Sequence, residues 1–279
     1  MLPPPAERVV RIAPTPSGFL HAGNALNFFV NALLATPRGR LLLRIDDLDR
    51  ARFRPEYLED IFLTLDTLGI RPTEGPRNAD DFLANWSQQH RIAHYLRAGS
   101  RGKGKREVFA CDCNRKELRQ GDHPRGCLAG RIDPDAEGVA LRVNTRLLDH
   151  YDFGFRHVYG RRRADFSLHR SIPDFALVNR DGRPSYQLAC TVDDYDYGIN
   201  LCARGRDLLP STAAQAVISD LLGYAPLFER IVFFHHPLLK TPDGKKLSKS
   251  AGADAVRHTP EVAALRRTAE GLVAPLLRG

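Results

Sequence analysis

Residues 8–14, RVVRIAP, form a short run of continuous rather than alternating apolar character. They are followed at once by the turn TPSG and by HAGNALNFFVNALLATP, whose apolar residues recur at helical spacing. Strand, glycine turn and helix in direct succession leave few options. GRLLLRIDD, opening at Gly39, repeats the buried-strand pattern, and RPEYLEDIFLTLDTLGI reads as an amphipathic helix with Pro55 in its first turn and Gly69 at its end. A strand that is apolar on both faces needs a helix on each side of it. The β-α-β-α order therefore predicts an α/β fold with a Rossmann-like parallel sheet. Ligands in such sheets bind at the carboxyl ends of the strands, which places the turn 14–23 and the pair Asp46 and Asp47 at the expected site.

The charge balance bears on partners. With 41 Lys+Arg against 33 Asp+Glu the chain carries +8 and a pI near 9.4, which favours polyanions. At 43% hydrophobic and 27% charged, 279 residues suffice for a substantial core and do not suit a disordered chain. No apolar run approaches the roughly 18 residues of a membrane span, and MLPPPAERVV lacks the apolar region of a secretory signal. A cytoplasmic protein with no membrane partner is expected.

Five cysteines, two of them one residue apart, do not suit a disulfide framework. CDCNRKELRQGDHPRGC instead spaces Cys111, Cys113, His123 and Cys127 as C-x-C-x9-H-x3-C, a tetrahedral set for Zn2+; free core cysteines are the alternative. Cys190 and Cys202 fall in strand-like runs and read as packing residues. DDLD and DDYDYG lack the spacing of a calcium loop, so Asp193 and Asp194 are expected as hydrogen-bonding residues of a site wall.

The organisation expected is the first half of the Rossmann-like sheet domain over 1–105, an inserted metal-binding subdomain over 106–171, the second half of the sheet domain over 172–250 and a short helical segment over 251–279. Within it, PSYQLACTVDDYDYGINLCARGRDLL is strand-like in composition, and STAAQAVISDLLGY reads as a helix capped by Ser211 or Thr212.

Two segments carry the chemistry. PTPSGFLHAGN opens a helix, whose unpaired N–H groups suit phosphate, with Gly18 and Gly23 permitting close approach and His21 adding a donor. TPDGKKLSKS, far along the chain, holds Lys245, Lys246 and Lys249 on a polar loop, either a solvated charge run or the other half of a phosphate clamp. Together HAGN (21–24) and KLSKS (246–250) resemble the HIGH and KMSKS signatures of class I aminoacyl-tRNA synthetases. The departures are Ala22 for isoleucine, Asn24 for the second histidine and Leu247 for methionine. RIAPTPSGFLHAG, RIDDLD, YQLA and ARGRDLL are similar to the glutamyl branch's R-F-A-P-S-P-[ST]-G-x-L-H-x-G, R-I-E-D-x-D, Y-x-L-A and x-R-G-x-D-L.

The resemblance implies activation of L-glutamate by ATP, with Mg2+ accompanying the nucleotide. His21, Asn24, Lys246 and Lys249 would be catalytic, and His21, Gly23, Asn24 and Lys249 would bind ATP. Arg11 and Arg204 would take the side-chain carboxylate of glutamate. Asp46, where the family has a glutamate, would take its α-ammonium, and Tyr186, Ala13 and Thr15, the last in place of serine, would line the pocket. An internal ion pair between Arg204 and Asp46 is the alternative.

The family of glutamyl-queuosine tRNA(Asp) synthetases has a similar C-x-C…Y-x3-C zinc site, with tyrosine where this chain has His123. Only 29 residues follow Ser250, too few for the anticodon-binding region of an ordinary glutamyl-tRNA synthetase. The resemblance therefore implies glutamylation of the queuosine base of tRNA(Asp), with the anticodon stem-loop as partner and a monomer as the family expectation. Basic runs 103–106 and 161–163 are either phosphate contacts or solvated faces. Glutamylation of a terminal adenosine or a non-RNA acceptor, and a weakly catalytic RNA-binding paralogue, stay open.

Overall fold

The computed structural model describes residues 2–118, 123, 125–148, 154–163, 168–224, 231–239 and 262–278. The N-terminal reading holds. Strand β1 (Val9–Ile12) leads into helix α1 (Ala22–Ala35), then β2 (Arg40–Leu43) and α2 (Pro55–Leu68). Gly69 ends α2 in the left-handed conformation at φ 65°, where a side chain would be strained.

These elements build a six-stranded sheet in the order β2-β1-β8-β9-β5-β6, with β8 spanning Leu201–Gly205, β9 Val232–His236, β5 Gly154–His157 and β6 Gly160–Arg163. All neighbours run parallel except the hairpin β5–β6. Leu201, Ala203, Val232 and Phe234 pack into the core on the α1 side, while Cys202 and Phe233 pack with Leu209 and Ala216 on the opposite side. With both faces buried, successive positions such as Leu201 to Ala203 and Val232 to Phe234 are all apolar, so the pattern there is continuous rather than alternating.

Helix α1 packs along the C-terminal helix α9 (Val262–Leu277), whose Leu265, Ala269, Val273 and Leu276 join the same core. The other face is covered by α7 (Tyr186–Asp196) and α8 (Leu209–Leu222), with α4 (Ile92–Ser100) packed on α7. Among the described residues the remaining α-helices are short: α3 (Ala79–Asp81), α5 (Arg115–Leu118) and α6 (Leu168–Ser171). A separate antiparallel sheet pairs β3 (Val108–Cys111) with β4 (Ala140–Val143) and β4 with β7 (Ala176–Val178). This small sheet takes β7 from beyond residue 171, and the hairpin β5–β6 within 106–171 extends the large sheet. Among the described residues no helix is long and apolar enough to cross a membrane.

Two expectations are corrected. YQLACTVDD is not strand but helix α7, capped by Ser185, whose hydroxyl accepts from the Leu188 N–H at 3.2 Å. Seven consecutive residues from Leu188 to Asp194 are buried, so the helix shows no polar stripe and its period is hidden. Neither Ser211 nor Thr212 caps α8, which instead begins at Leu209 with Pro210 in its first turn. The Thr212 hydroxyl donates to Leu208 O at 3.1 Å and lies 2.8 Å from His235 Nε2.

Candidate active site

The turn after β1 and the ends of β8 and β9 enclose a cavity of about 270 Å³ that brings together Arg11, Ala13, His21, Gly23, Asn24, Tyr186 and Arg204. Thr15 and Asp46 line an adjoining cavity of about 640 Å³, and Tyr186 stands in the wall of both. Tyr186, at the start of α7, thus stands between Arg11 and Arg204 on one side and Asp46 on the other. Lys246 and Lys249 lie outside the described residues.

His21 is the N-cap of α1, and its side chain serves there as an acceptor as well as a donor. Its Nδ1 accepts the Gly23 N–H at 3.0 Å while Asn24 Oδ1 accepts the His21 N–H at 3.0 Å, a reciprocal capping box. A Cβ at Gly23 would stand 2.9 Å from His21 Cε1, so the bond requires glycine there. With Nδ1 as acceptor, the neutral ring carries its proton on Nε2, and that edge is a donor. The Gly23, Asn24 and Ala25 N–H groups are already taken by His21, so that Nε2 edge and the positive end of the α1 dipole are what favour an anion there.

A buried ion network forms the wall. Arg11 donates through Nε and Nη2 to Asp194 at 2.6 and 3.0 Å. Arg44 donates to the same carboxylate through Nη1 at 2.7 Å and to Asp46 through Nε and Nη2 at 2.7 and 3.1 Å. Asp193 accepts from Arg91 at 3.0 Å, Tyr95 at 2.9 Å and Gln88 at 2.9 Å. Burial pushes the Asp194 carboxyl up, but Arg11 and Arg44 outweigh it and hold the group below the usual range. For Asp46 burial wins over Arg44, and its pKa is raised.

Arg204 differs. It is 4% exposed, its Nη1 donates to Gln215 Oε1 at 3.0 Å, and its Cζ lies 4.9 Å from the Phe233 ring centroid. Nε and Nη2 have no hydrogen-bond partner. Arg204 and Asp46 are therefore not an internal ion pair, because Asp46 is taken by Arg44.

Sequence reasoning missed Arg44 and Gln88, although Arg44 sits inside RIDDLD. It also misplaced Cys190, which lies in α7 with Sγ 3.3 Å from Arg44 Nη2 and 3.7 Å from Arg11 Nη2, inside the network rather than in a strand. Burial raises its pKa and keeps it a thiol. Cys202 packs in β8 as expected.

The metal set converges as well. Ligand atoms of Cys111, Cys113, His123 and Cys127 all lie within 4.8 Å of one another, with Cys111 Sγ 3.3 Å from His123 Nδ1 and Cys113 Sγ 3.4 Å from Cys127 Sγ. Bonds of about 2.3 Å in a tetrahedron give edges of about 3.8 Å, so three sulfurs and one nitrogen at these spacings fit Zn2+. Burial, reinforced by the Cys113 thiol, pushes Cys127 up to about 12; a divalent cation offsets that cost by stabilising thiolates. Burial lowers the His123 pKa despite Asp174, which keeps the imidazole neutral and able to ligate.

The family model described as "tRNA synthetases class I (E and Q), catalytic domain" matches residues 7–125 and 160–267. The chain is 35% identical to a Glutamyl-Q tRNA(Asp) synthetase of Verminephrobacter eiseniae, covering 94% of this chain and 88% of the relative. It is 36% identical to one of Ectopseudomonas mendocina, covering 86% and 76%. Among solved structures, a glutamate-tRNA synthetase from Elizabethkingia anophelis superposes with TM-score 0.69 at 25% identity, covering 88% of this chain and 53% of that one. A glutamate tRNA ligase from Elizabethkingia meningosepticum, in complex with its amino acid, gives TM-score 0.68 at 26% identity, covering 88% and 52%. The chain spans about half the length of those two solved proteins.

Proposed function

Given that the chain belongs to the class I family of glutamyl- and glutaminyl-tRNA synthetases, and within it to the Glutamyl-Q tRNA(Asp) synthetases, we propose that it activates glutamate with ATP and transfers it to the queuosine base of tRNA(Asp). The observation that carries the first step is the unpaired Nε and Nη2 edge of Arg204 in the cavity that also holds Arg11 and the start of α1. A guanidinium edge of this kind matches one carboxylate bidentately. Arg11, held on its Nε side by Asp194, adds a second positive charge. Two guanidiniums facing a neutral amide would be poorly paired, so the site favours glutamate over glutamine.

The substrate lies past Tyr186 with its α-ammonium toward Asp46, whose carboxylate Arg44 holds in place. Ala13 and Thr15 line the passage. An α-carboxylate oxygen attacks the α-phosphorus of ATP, the P–O bond to pyrophosphate breaks, and glutamyl-adenylate forms. No side chain bonds covalently. His21 through Nε2, the Asn24 side-chain amide and the positive end of the α1 dipole stabilise charge on the phosphate oxygens, which Gly23 lets approach closely, with Lys246 and Lys249 assigned to the same task by resemblance. Mg2+ bound with ATP supplies further neutralisation of the phosphates. Zn2+ on Cys111, Cys113, His123 and Cys127 is structural.

In the second step a queuosine hydroxyl attacks the adenylate carbonyl and AMP leaves. Support for that acceptor comes from the named relatives and their coverage of this chain. Lys105 and Arg106 are exposed and available to RNA phosphates, whereas Lys103 is paired with Asp135. The enzyme is proposed to act in the cytoplasm as a monomer.

Radiolabelled glutamate, ATP and queuosine-containing tRNA(Asp) test the reading. Label that survives periodate treatment of the 3′ end and disappears with tRNA lacking queuosine is the expected result. Labelling of queuosine-free tRNA overturns it. Absence of glutamate-dependent ATP–pyrophosphate exchange by folded protein overturns the activation step as well.

A further inference from the structure

We infer that Asp174 orients His123 toward the metal, so that the affinity of the Cys3His set depends on a carboxylate outside it. The inference rests on the assignment of zinc to Cys111, Cys113, His123 and Cys127. His123 turns Nδ1 toward Cys111 Sγ at 3.3 Å and places Nε2 3.1 Å from Asp174 Oδ2. The side chains of His123 and Asp174 are only 4% and 7% exposed. An imidazole that ligates through Nδ1 keeps its proton on Nε2. A carboxylate accepting that proton's hydrogen bond fixes the tautomer and ring plane and strengthens Nδ1 as a donor to the metal. The Phe109 ring, edge-on at 4.9 Å and 89°, further limits rotation.

Asp174 is itself held for this task. Its Oδ1 accepts the Thr145 N–H at 2.8 Å and the Thr145 hydroxyl at 2.9 Å, and its carbonyl accepts Arg142 Nη1 at 2.7 Å. Among the described residues it is the non-glycine residue with positive φ, at 22°. Such a backbone persists where its surroundings over-determine it. The carboxylate reaches His123 from 51 residues away, at the entry to β7. It thereby ties the metal ligand to the strand that leads toward Tyr186.

Both oxygens are needed as acceptors, one for the fixed Thr145 N–H and one for His123. An amide has one acceptor oxygen, so Asp174→Asn breaks one of the two bonds, while asparagine tolerates positive φ and keeps the fold.

The test measures Zn2+ affinity by chelator competition for the full-length protein, Asp174→Asn, His123→Cys and the double variant. Affinity is expected to fall about 10- to 100-fold on Asp174→Asn in the parent, and to be unchanged by it when Cys replaces His123. Equal affinities for the parent and Asp174→Asn overturn the inference, and so does an equal loss in both backgrounds, which marks a purely structural role. A parent protein that takes up no zinc overturns the zinc assignment itself, and the inference with it.

Discussion

Replacing Arg204 with methionine separates binding from stability, because the two should move independently. The guanidinium makes one hydrogen bond, to Gln215 at 3.0 Å, and leaves Nε and Nη2 without partners at 4% exposure. If those two donors receive the glutamate side chain, Arg204→Met removes two charge-assisted hydrogen bonds of about 1.5–3 kcal/mol each. That is about 3–6 kcal/mol, or roughly 10²- to 10⁴-fold in kcat/KM for glutamate. For folding, the lost Gln215 bond is offset by removal of two buried donors that cost about 1–3 kcal/mol each when unsatisfied. A flexible apolar side chain of similar length fills the space beside Phe233. Stability in urea should therefore stay within about 1 kcal/mol of the parent or exceed it. Glutamate-dependent ATP–pyrophosphate exchange measures the first effect, and equilibrium unfolding the second. Exchange within threefold of the parent would refute the carboxylate assignment. A loss of about 3 kcal/mol or more in stability would show that Arg204 serves the fold instead.

Asp194→Asn should act in the opposite sense, destabilising the protein by about 3–5 kcal/mol, because it leaves Arg11 and Arg44 buried with their shared carboxylate gone. The Asp194 pKa is depressed in the fold, so its contribution is present above the ordinary carboxylate pKa and lost as pH falls through the lower folded value. Unfolding in urea from pH 7 down to pH 3 should show that acid-dependent component in the parent and not in Asp194→Asn. His235, stacked 5.8 Å from both His157 and Phe233, is lowered to about 3, first by burial and then by Arg204. A histidine kept neutral in the fold contributes stability above its unfolded pKa of about 6.5, and that contribution is lost as pH falls toward 3. His235→Phe should flatten the urea midpoint between pH 6.5 and pH 4; a slope equal to that of the parent sinks the assignment.

How much of this was legible depends on how far apart the interacting residues lie. The strand, turn and helix from Val9 to Ala35 follow from local spacing, and the Cys3His set from a motif only 17 residues long, so both could be read directly. Helix α7 could not, because its burial from Leu188 to Asp194 removes the amphipathic period. The ion network was hidden for a different reason. Arg11 and Asp194 are 183 positions apart, and Arg44 and Asp194 are 150 apart. Residue types along the chain show several arginines and aspartates near the strand ends but not which of them pair. That pairing decides the chemistry. Arg44 is bound to Asp46 and Asp194, and Arg11 to Asp194, whereas Arg204 has no salt bridge among the described residues. A buried guanidinium without a carboxylate is costly to maintain in the free protein. It becomes favourable when a ligand brings the carboxylate, which is why the proposed glutamate substrate, through its acidic side chain, would complete a set of ion pairs that the fold leaves one member short.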